Sequence, residues 1–259
     1  MKKLLIFIFI FFISCVTTGP GGKTDLILIS SEEEVRIGEQ VAKDVESKEK
    51  LVSNSAIQSY VNEVGQKIVR VCDRKDIEYK FKVIEKEDIN AFACPGGFIY
   101  IYTGLLKTLD SEAELAAVLA HEVSHVVARH SVKKLQSIYG YSIIAQLALG
   151  EKAEGVLGKI VDVAAMLILQ GYSRENEFEA DSYGLLYAKN AGYNPKGMVE
   201  VFKKFKKMEG NPPPAILGLL SSHPPSQDRI KKAEEEINKI GGVELPYYTE
   251  RFQKIKSQL

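Results

Sequence analysis

The chain has 259 residues, of which 34 are Lys or Arg and 34 are Asp or Glu, and 45% are hydrophobic. That length is enough to bury one large core in one or two domains. The balanced charge gives no footing for nucleic acid or an acidic polymer as partner, so function has to be sought in a local site.

Lys2 and Lys3 precede an apolar run from Leu4 to Ile13. The run is short for a bilayer span and suits a signal peptide over residues 1–14. Ser14-Cys15 resembles a bacterial lipobox, which implies that Cys15 is lipidated and becomes the mature amino terminus; Phe12 departs from the usual leucine. Val16, rather than aspartate, after that cysteine fits the outer membrane, and a plain secretory signal cleaved nearby is the alternative. Residues 15–30, rich in Thr, Gly and Pro, read as a flexible tether to a folded domain over 31–259.

From Ser31, the acids Glu32, Glu33 and Glu34 favour a helix start, and Val35, Ile37, Val41 and Val45 mark its buried side. A second helix is predicted from Ala56 to Val71, with Ile57, Tyr60, Val61, Val64 and Ile68 at helical spacing. Between Glu78 and Thr103 the period changes to two, and a β-rich run from Phe98 to Tyr102 follows Pro95-Gly96-Gly97. This predicts a small sheet. Cys72 and Cys94 could pair in an oxidising compartment, but spacing alone does not fix their geometry. Cys94 has no histidine neighbour in sequence to make it a nucleophile.

Ser111 and Glu114 form a capping-box pattern ahead of the apolar run from Leu115 to Ala128, which holds His121-Glu122-Val123-Ser124-His125. Histidines four apart share one helix face, and the glutamate lies on the adjoining flank. Two imidazoles can grip one zinc ion while Glu122 deprotonates a water in the open position. On a continuous helix His130 faces away from His121, so it reads as a solvated or structural histidine rather than a third ligand. The pattern is not metzincin, because Ala128 stands where glycine belongs.

Helices are predicted over Ser131–Leu149 and Gly155–Gln170, and the second is interrupted by Lys159 and Asp162 and short of about 20 apolar residues. In the acidic stretch from Ser173, Glu177 and Asp181 lie four apart. One could ligate metal while the other orients a ligating imidazole; a solvated acidic helix start is the plainer alternative. Further on come a basic amphipathic helix, Met198 to Met208, and an apolar loop over Asn211–Leu220 that could lid a cleft. His223-Pro224-Pro225 and Arg229 follow; Arg229 is open between a site contact and a salt bridge.

Four segments in order carry a resemblance: Asn90 to Gly104, the His121–His125 pentad, Ser173 to Asp181 and Ser222-His223-Pro224-Pro225. Together they resemble the gluzincin zinc metallopeptidases of the CAAX prenyl protease and HtpX family, over roughly residues 30–240. They are most similar to its soluble envelope lipoprotein members, of the BepA and LoiP type. The lack of long apolar spans separates the chain from the multi-span members.

The resemblance implies that His121, His125 and Glu177 bind one zinc ion per chain, that Glu122 is the general base, and that Asp181 supports His121. It also implies a role for His223 at the metal, as a plug of the open position or an oxyanion donor. Asn90, Ala91, Phe92, Ala93 and Cys94 would border the cleft, and this edge strand would hold peptide by strand addition. The expected fold is α+β: a mainly helical zincin-type domain with a small β-sheet at the active-site cleft. The expected protein is a lipid-anchored endopeptidase on the periplasmic side of an envelope membrane, acting on unfolded or misassembled polypeptides. A metal-bearing chaperone or assembly factor with an occluded site is the alternative.

Overall fold

The computed structural model describes residues 15–17, 24–138, 162, 164, 170–224 and 227–259. The signal-peptide reading, part of the tether, Pro225 and most of the two helices expected between Ser131 and Gln170 therefore lie outside the described residues.

Within the expected tether, β1 (Cys15–Thr17) pairs antiparallel with β2 (Thr24–Leu26). Ile27 and Ile29 just after it are buried, so the second half of that segment packs onto the domain. Two side chains forming a buried apolar pair outweigh the freedom expected of a Thr/Gly/Pro-rich stretch.

Helix α1 (Ser31–Lys48) begins with a complete capping box, Ser30 with Glu33. It buries Ile37 and Val41, while Val35 and Val45 are half-buried. Helix α2 (Ser55–Val69) buries all five residues expected of it. The sheet follows: β3 (Lys80–Ile84), β4 (Ala91–Ala93) and β5 (Phe98–Tyr102), in the spatial order β3-β5-β4. β5 fills the middle, parallel to β3 and antiparallel to β4. The β4–β5 connection turns at Gly96, where φ is 73° and an added Cβ would sit 2.6 Å from the Val35 backbone, a place open only to glycine. β4 is thus an edge strand, as expected of residues 91–94. Cys72 and Cys94 are both free and buried.

After α3 (Thr103–Thr108) comes α4 (Glu112–Val127), the helix around which the domain is packed. Ser111 caps it through Glu114 N–H at 3.2 Å, but the Glu114 carboxylate returns to the Asp110 N–H at 3.0 Å, so the expected box is completed one residue early. Its first turn carries Glu112, fully buried, which accepts from Tyr60 at 2.8 Å, Tyr193 at 2.9 Å and Arg251 at 3.0 Å. Three donors satisfy a carboxylate that burial would otherwise penalise heavily. A second buried cluster stands at the other end. Glu34, which reads in sequence as a dipole-stabilising surface acid, is 1% exposed and lies 2.8 Å from both Arg74 and Arg129.

Helix α5 (Arg174–Asn190) crosses α4, and α6 (Lys196–Glu209) packs beside both. On α6, Lys204 ion-pairs with Asp110 and Glu114. The expected apolar loop is ordered: a 3-10 turn at Pro214–Ile216 leads into α7 (Leu217–Ser222). Ile216 and Leu219 bury into the main core, which makes the turn helical rather than a free lid. Helices α8 (Gln227–Ile240) and α9 (Thr249–Lys256) close the chain. Among the described residues no helix is long and apolar enough to cross a membrane.

Candidate metal centre

His121, Glu122 and His125 lie in the middle of α4 and are 7%, 3% and 1% exposed. Glu177 and Asp181 approach from α5, His223 from the end of α7, and Arg229 from α8. The crossing of α4 and α5 is close because residue 184 is glycine. A Cβ there would meet the Met198 terminal methyl at 2.9 Å and the His121 backbone nitrogen at 3.1 Å. Gly184→Ala is expected to destabilise the fold by about 1–3 kcal/mol in urea titration, because overpacking must part the helices. An unchanged midpoint would show that Met198 yields alone.

His121, His125, Glu177 and His223 each offer one donor atom to a common point. The Nε2 atoms of His121 and His125 are 3.0 Å apart, and His121 Nε2 is 3.3 Å from His223 Nδ1. Glu177 stands 3.5 Å from His121 Nε2, 3.4 Å from His125 Nε2 and 3.1 Å from His223 Nδ1. Four donors bound tetrahedrally at about 2.0–2.1 Å would be separated by roughly 3.4 Å. The donor set, three imidazoles and one carboxylate, is the one zinc favours, and its spacing fits that ion.

The electrostatics agree. Burial disfavours a charged His121, but Asp181 and Glu177 outweigh it and push its pKa up to about 10. The pocket therefore stabilises positive charge at that point, which a cation would bring instead of a proton. Burial opposes ionisation of Glu177 as well, yet His223 and the other two imidazoles hold its pKa well below the usual carboxylate range. His125 is kept neutral by burial.

Asp181 Oδ1 lies 2.9 Å from His121 Nδ1, although the angle is off-line for a hydrogen bond. Arg229 resolves its two readings into one: it pairs with Asp181 at 2.6 and 2.7 Å and with Glu177 at 3.0 Å. Burial raises the Glu122 pKa, with the nearby His223 opposing; its Oε1 is 3.8 Å from His223 Nε2.

His130 is the main correction. It is fully buried, not solvated, with its Nδ1 2.8 Å from His125 Nδ1 and its Nε2 2.9 Å from Glu179. The opposite-face reading assumes an unbroken helix; instead α4 ends at Val127 and Arg129 turns left-handed at φ 54°. It remains outside the donor set. Tyr172, stacked on His125 at 4.2 Å, carries no signal in the sequence.

Ala91 of β4 lines an apolar pocket beside His121 and Glu122, with Leu105, Val118, Met198, Val201 and Phe202. Asn90 is buried, and its side-chain oxygen has no hydrogen-bond partner among the described residues. Phe92 and Cys94 face the other way, into the cluster around α1, while Ala93 shares the face of Ala91 and belongs to the main core; none of the three lines that pocket. Burial pushes the Cys94 thiol pKa far up, which removes it as a nucleophile.

A sequence profile of peptidase family M48 matches residues 55–237, a span that holds every residue of this site. The chain belongs to peptidase family M48. Three relatives illustrate the range of this M48 domain. It is 33% identical over 211 residues to the mitochondrial metalloendopeptidase OMA1 of Schizosaccharomyces pombe, covering 80% of this chain and 62% of that protein. It is 24% identical over 226 residues to the beta-barrel assembly-enhancing protease of Escherichia coli K12, covering 82% and 45%. Metalloprotease YcaL of the same organism is 29% identical over 162 residues, covering 61% of each. The chain thus spans less than two thirds of the length of each of these relatives, and what it shares with them is a metallopeptidase domain.

Proposed function

We propose that this protein is a zinc-dependent endopeptidase that hydrolyses misfolded or misassembled polypeptides at the bacterial cell envelope. The observation that supports it most is the meeting of four donor atoms from three helical segments beside the buried carboxylate of Glu122.

His121, His125 and Glu177 would hold zinc, which when bound would supply Lewis-acid polarisation of a peptide carbonyl and of an attacking water. Glu122 takes the proton of that water at its carboxylate and delivers it to the leaving nitrogen. Burial, by raising its pKa, makes it a better acceptor near neutral pH. Asp181, clamped by Arg229, keeps the His121 ring turned so that Nε2 faces the ion. The edge of β4 offers backbone groups to an extended peptide, and Asn90 offers an unsatisfied acceptor. The adjoining pocket, lined by apolar side chains, suits an apolar residue next to the bond cleaved.

The envelope location rests on Ser14-Cys15 and on relatives named for beta-barrel assembly; another relative is named for mitochondria. In this reading Cys15 carries the lipid anchor on the periplasmic side of the outer membrane.

His223 favours one of its two roles. Its Nδ1 sits within the donor set, 3.3 Å from His121 Nε2, which supports the resting-plug role. His223→Ala is then expected to raise the rate on unfolded casein. A fall of roughly ten- to a thousandfold would assign it to the oxyanion instead. The same plug keeps the chaperone alternative in view. Casein incubated with and without a chelator separates the two: chelator-sensitive fragments support the peptidase, and protection of casein without fragments supports the chaperone. Residues 212–218 are tied into the domain rather than free to act as a lid, because Ile216 belongs to the core and the Ala215 carbonyl accepts from the Ile89 N–H at 2.8 Å.

A further inference from the structure

We infer that His130 is a positioning residue for the metal ligand His125, and that with Glu179 it forms a hydrogen-bonded chain that fixes which nitrogen of His125 meets the ion. The inference rests on the zinc reading above and adds two residues to it.

The two ligating imidazoles are supported differently. His121 has the Asp181 carboxylate 2.9 Å from its Nδ1. Among the described residues, what stands at the His125 Nδ1 is not a carboxylate but the Nδ1 of His130, at 2.8 Å. The His130 Nε2 then reaches Glu179 Oε2 at 2.9 Å, and Tyr183 donates to the other Glu179 oxygen at 3.1 Å.

Proton placement along this chain has one consistent solution. A His125 that gives its Nε2 lone pair to a cation must carry its proton on Nδ1. That N–H donates to His130 Nδ1, which must therefore be the bare nitrogen of its ring. The His130 proton then lies on Nε2, where it faces a carboxylate that can only accept. Each contact has one donor and one acceptor, and reversing any one of them leaves two protons or two lone pairs face to face. The chain is thus a directional device: Glu179 sets His130, and His130 sets His125.

The backbone supports the same reading. His130 reaches this position only because Arg129 adopts φ 54°, a conformation unfavourable for a side chain larger than glycine. That turn is held by the buried Arg129 guanidinium, which donates to Glu34 at 2.8 Å and to the Ile29 carbonyl at 2.7 Å. An uninterrupted helix would have needed no such anchor and would have carried His130 away from the site.

The test is zinc affinity of the full chain, measured by competition with a chromophoric chelator, together with the melting temperature of the metal-free protein. Glu179 is the safer position, because its side chain is partly exposed. Glu179→Leu and His130→Phe are each expected to weaken zinc binding by about 10–100-fold. His130→Asn, whose amide oxygen can still accept the His125 N–H, is expected to recover part of the loss. Cobalt substituted for zinc should show a shifted visible spectrum in Glu179→Leu, since the ligand field follows the ring orientation. A folded Glu179→Leu protein with zinc affinity within twofold of wild type, and an unshifted cobalt spectrum, would overturn the inference even if His130→Phe fails to fold. A drop in metal-free melting temperature with unchanged affinity would do so too, leaving His130 a packing residue. Wild-type protein that binds no zinc would instead remove the metal reading itself, and the inference with it.

Discussion

Glu122→Gln is expected to lower the rate of polypeptide hydrolysis by about 10²–10⁴-fold, the usual contribution of a positioned general base, while the protein still binds one zinc. The amide keeps the shape of the carboxylate but cannot take a proton. Glu122 is outside the donor set, so the ion should be held as before. The burial that raises its pKa also means that water is scarce around it, so solvent is a poor substitute for the missing base. Initial rates on unfolded casein, paired with zinc content by elemental analysis, check both halves. A variant that keeps more than about half of the wild-type rate would place proton transfer elsewhere, whereas loss of both rate and zinc would mean that Glu122 shapes the donor set itself.

Which parts of this site could be read from sequence follows from how local their causes are. The pentad is legible because His121, Glu122 and His125 are set by one helix, and that helix declares its start at Ser111. Glu177 and Asp181 are legible as a pair on one helical face. Their division of labour is not, because it depends on Arg229, 48 residues beyond Asp181 in the chain. His130 is misread for the same reason: the break at Arg129 is held from Glu34 and Ile29, about 100 residues away. Glu34 itself looks like a surface acid until Arg74 and Arg129 enclose it. Alternation marks the strands, but only pairing reveals that β5 lies between β3 and β4 and that β4 is the open edge. The stretch around Ile216 carries three prolines, a loop signal, yet burial of Ile216 and Leu219 makes it a turn and a short helix.

Arg229→Met is expected to cost the metal-free protein about 3–5 kcal/mol of folding stability, the range for removing one partner of a buried ion pair. Arg229 is 4% exposed; its fork meets both Asp181 oxygens at 2.6 and 2.7 Å and Glu177 at 3.0 Å, and its guanidinium lies 4.5 Å from the Phe202 ring centre. Methionine replaces much of the aliphatic stem but none of the charge, leaving two buried carboxylates with only the neighbouring imidazoles to offset them. The pH dependence follows in sign. Burial pushes the Asp181 pKa up, but Arg229 and His121 bring it below the ordinary value. A depressed folded-state pKa gives stability that is present at neutral pH and is lost as pH falls through it. The deficit of Arg229→Met should therefore be full near pH 7 and shrink as the solution is taken below about pH 4, where the unfolded carboxylate is also protonated. Zinc should narrow the gap as well, because the cation supplies Glu177 with the positive charge that the guanidinium no longer gives. Urea titrations of the metal-free protein at pH 7 and at about pH 2–3, below the ordinary carboxylate range, and at pH 7 with zinc, read all three effects. A deficit under about 1 kcal/mol at pH 7 in the metal-free protein would mean that water, rather than Arg229, solvates these acids.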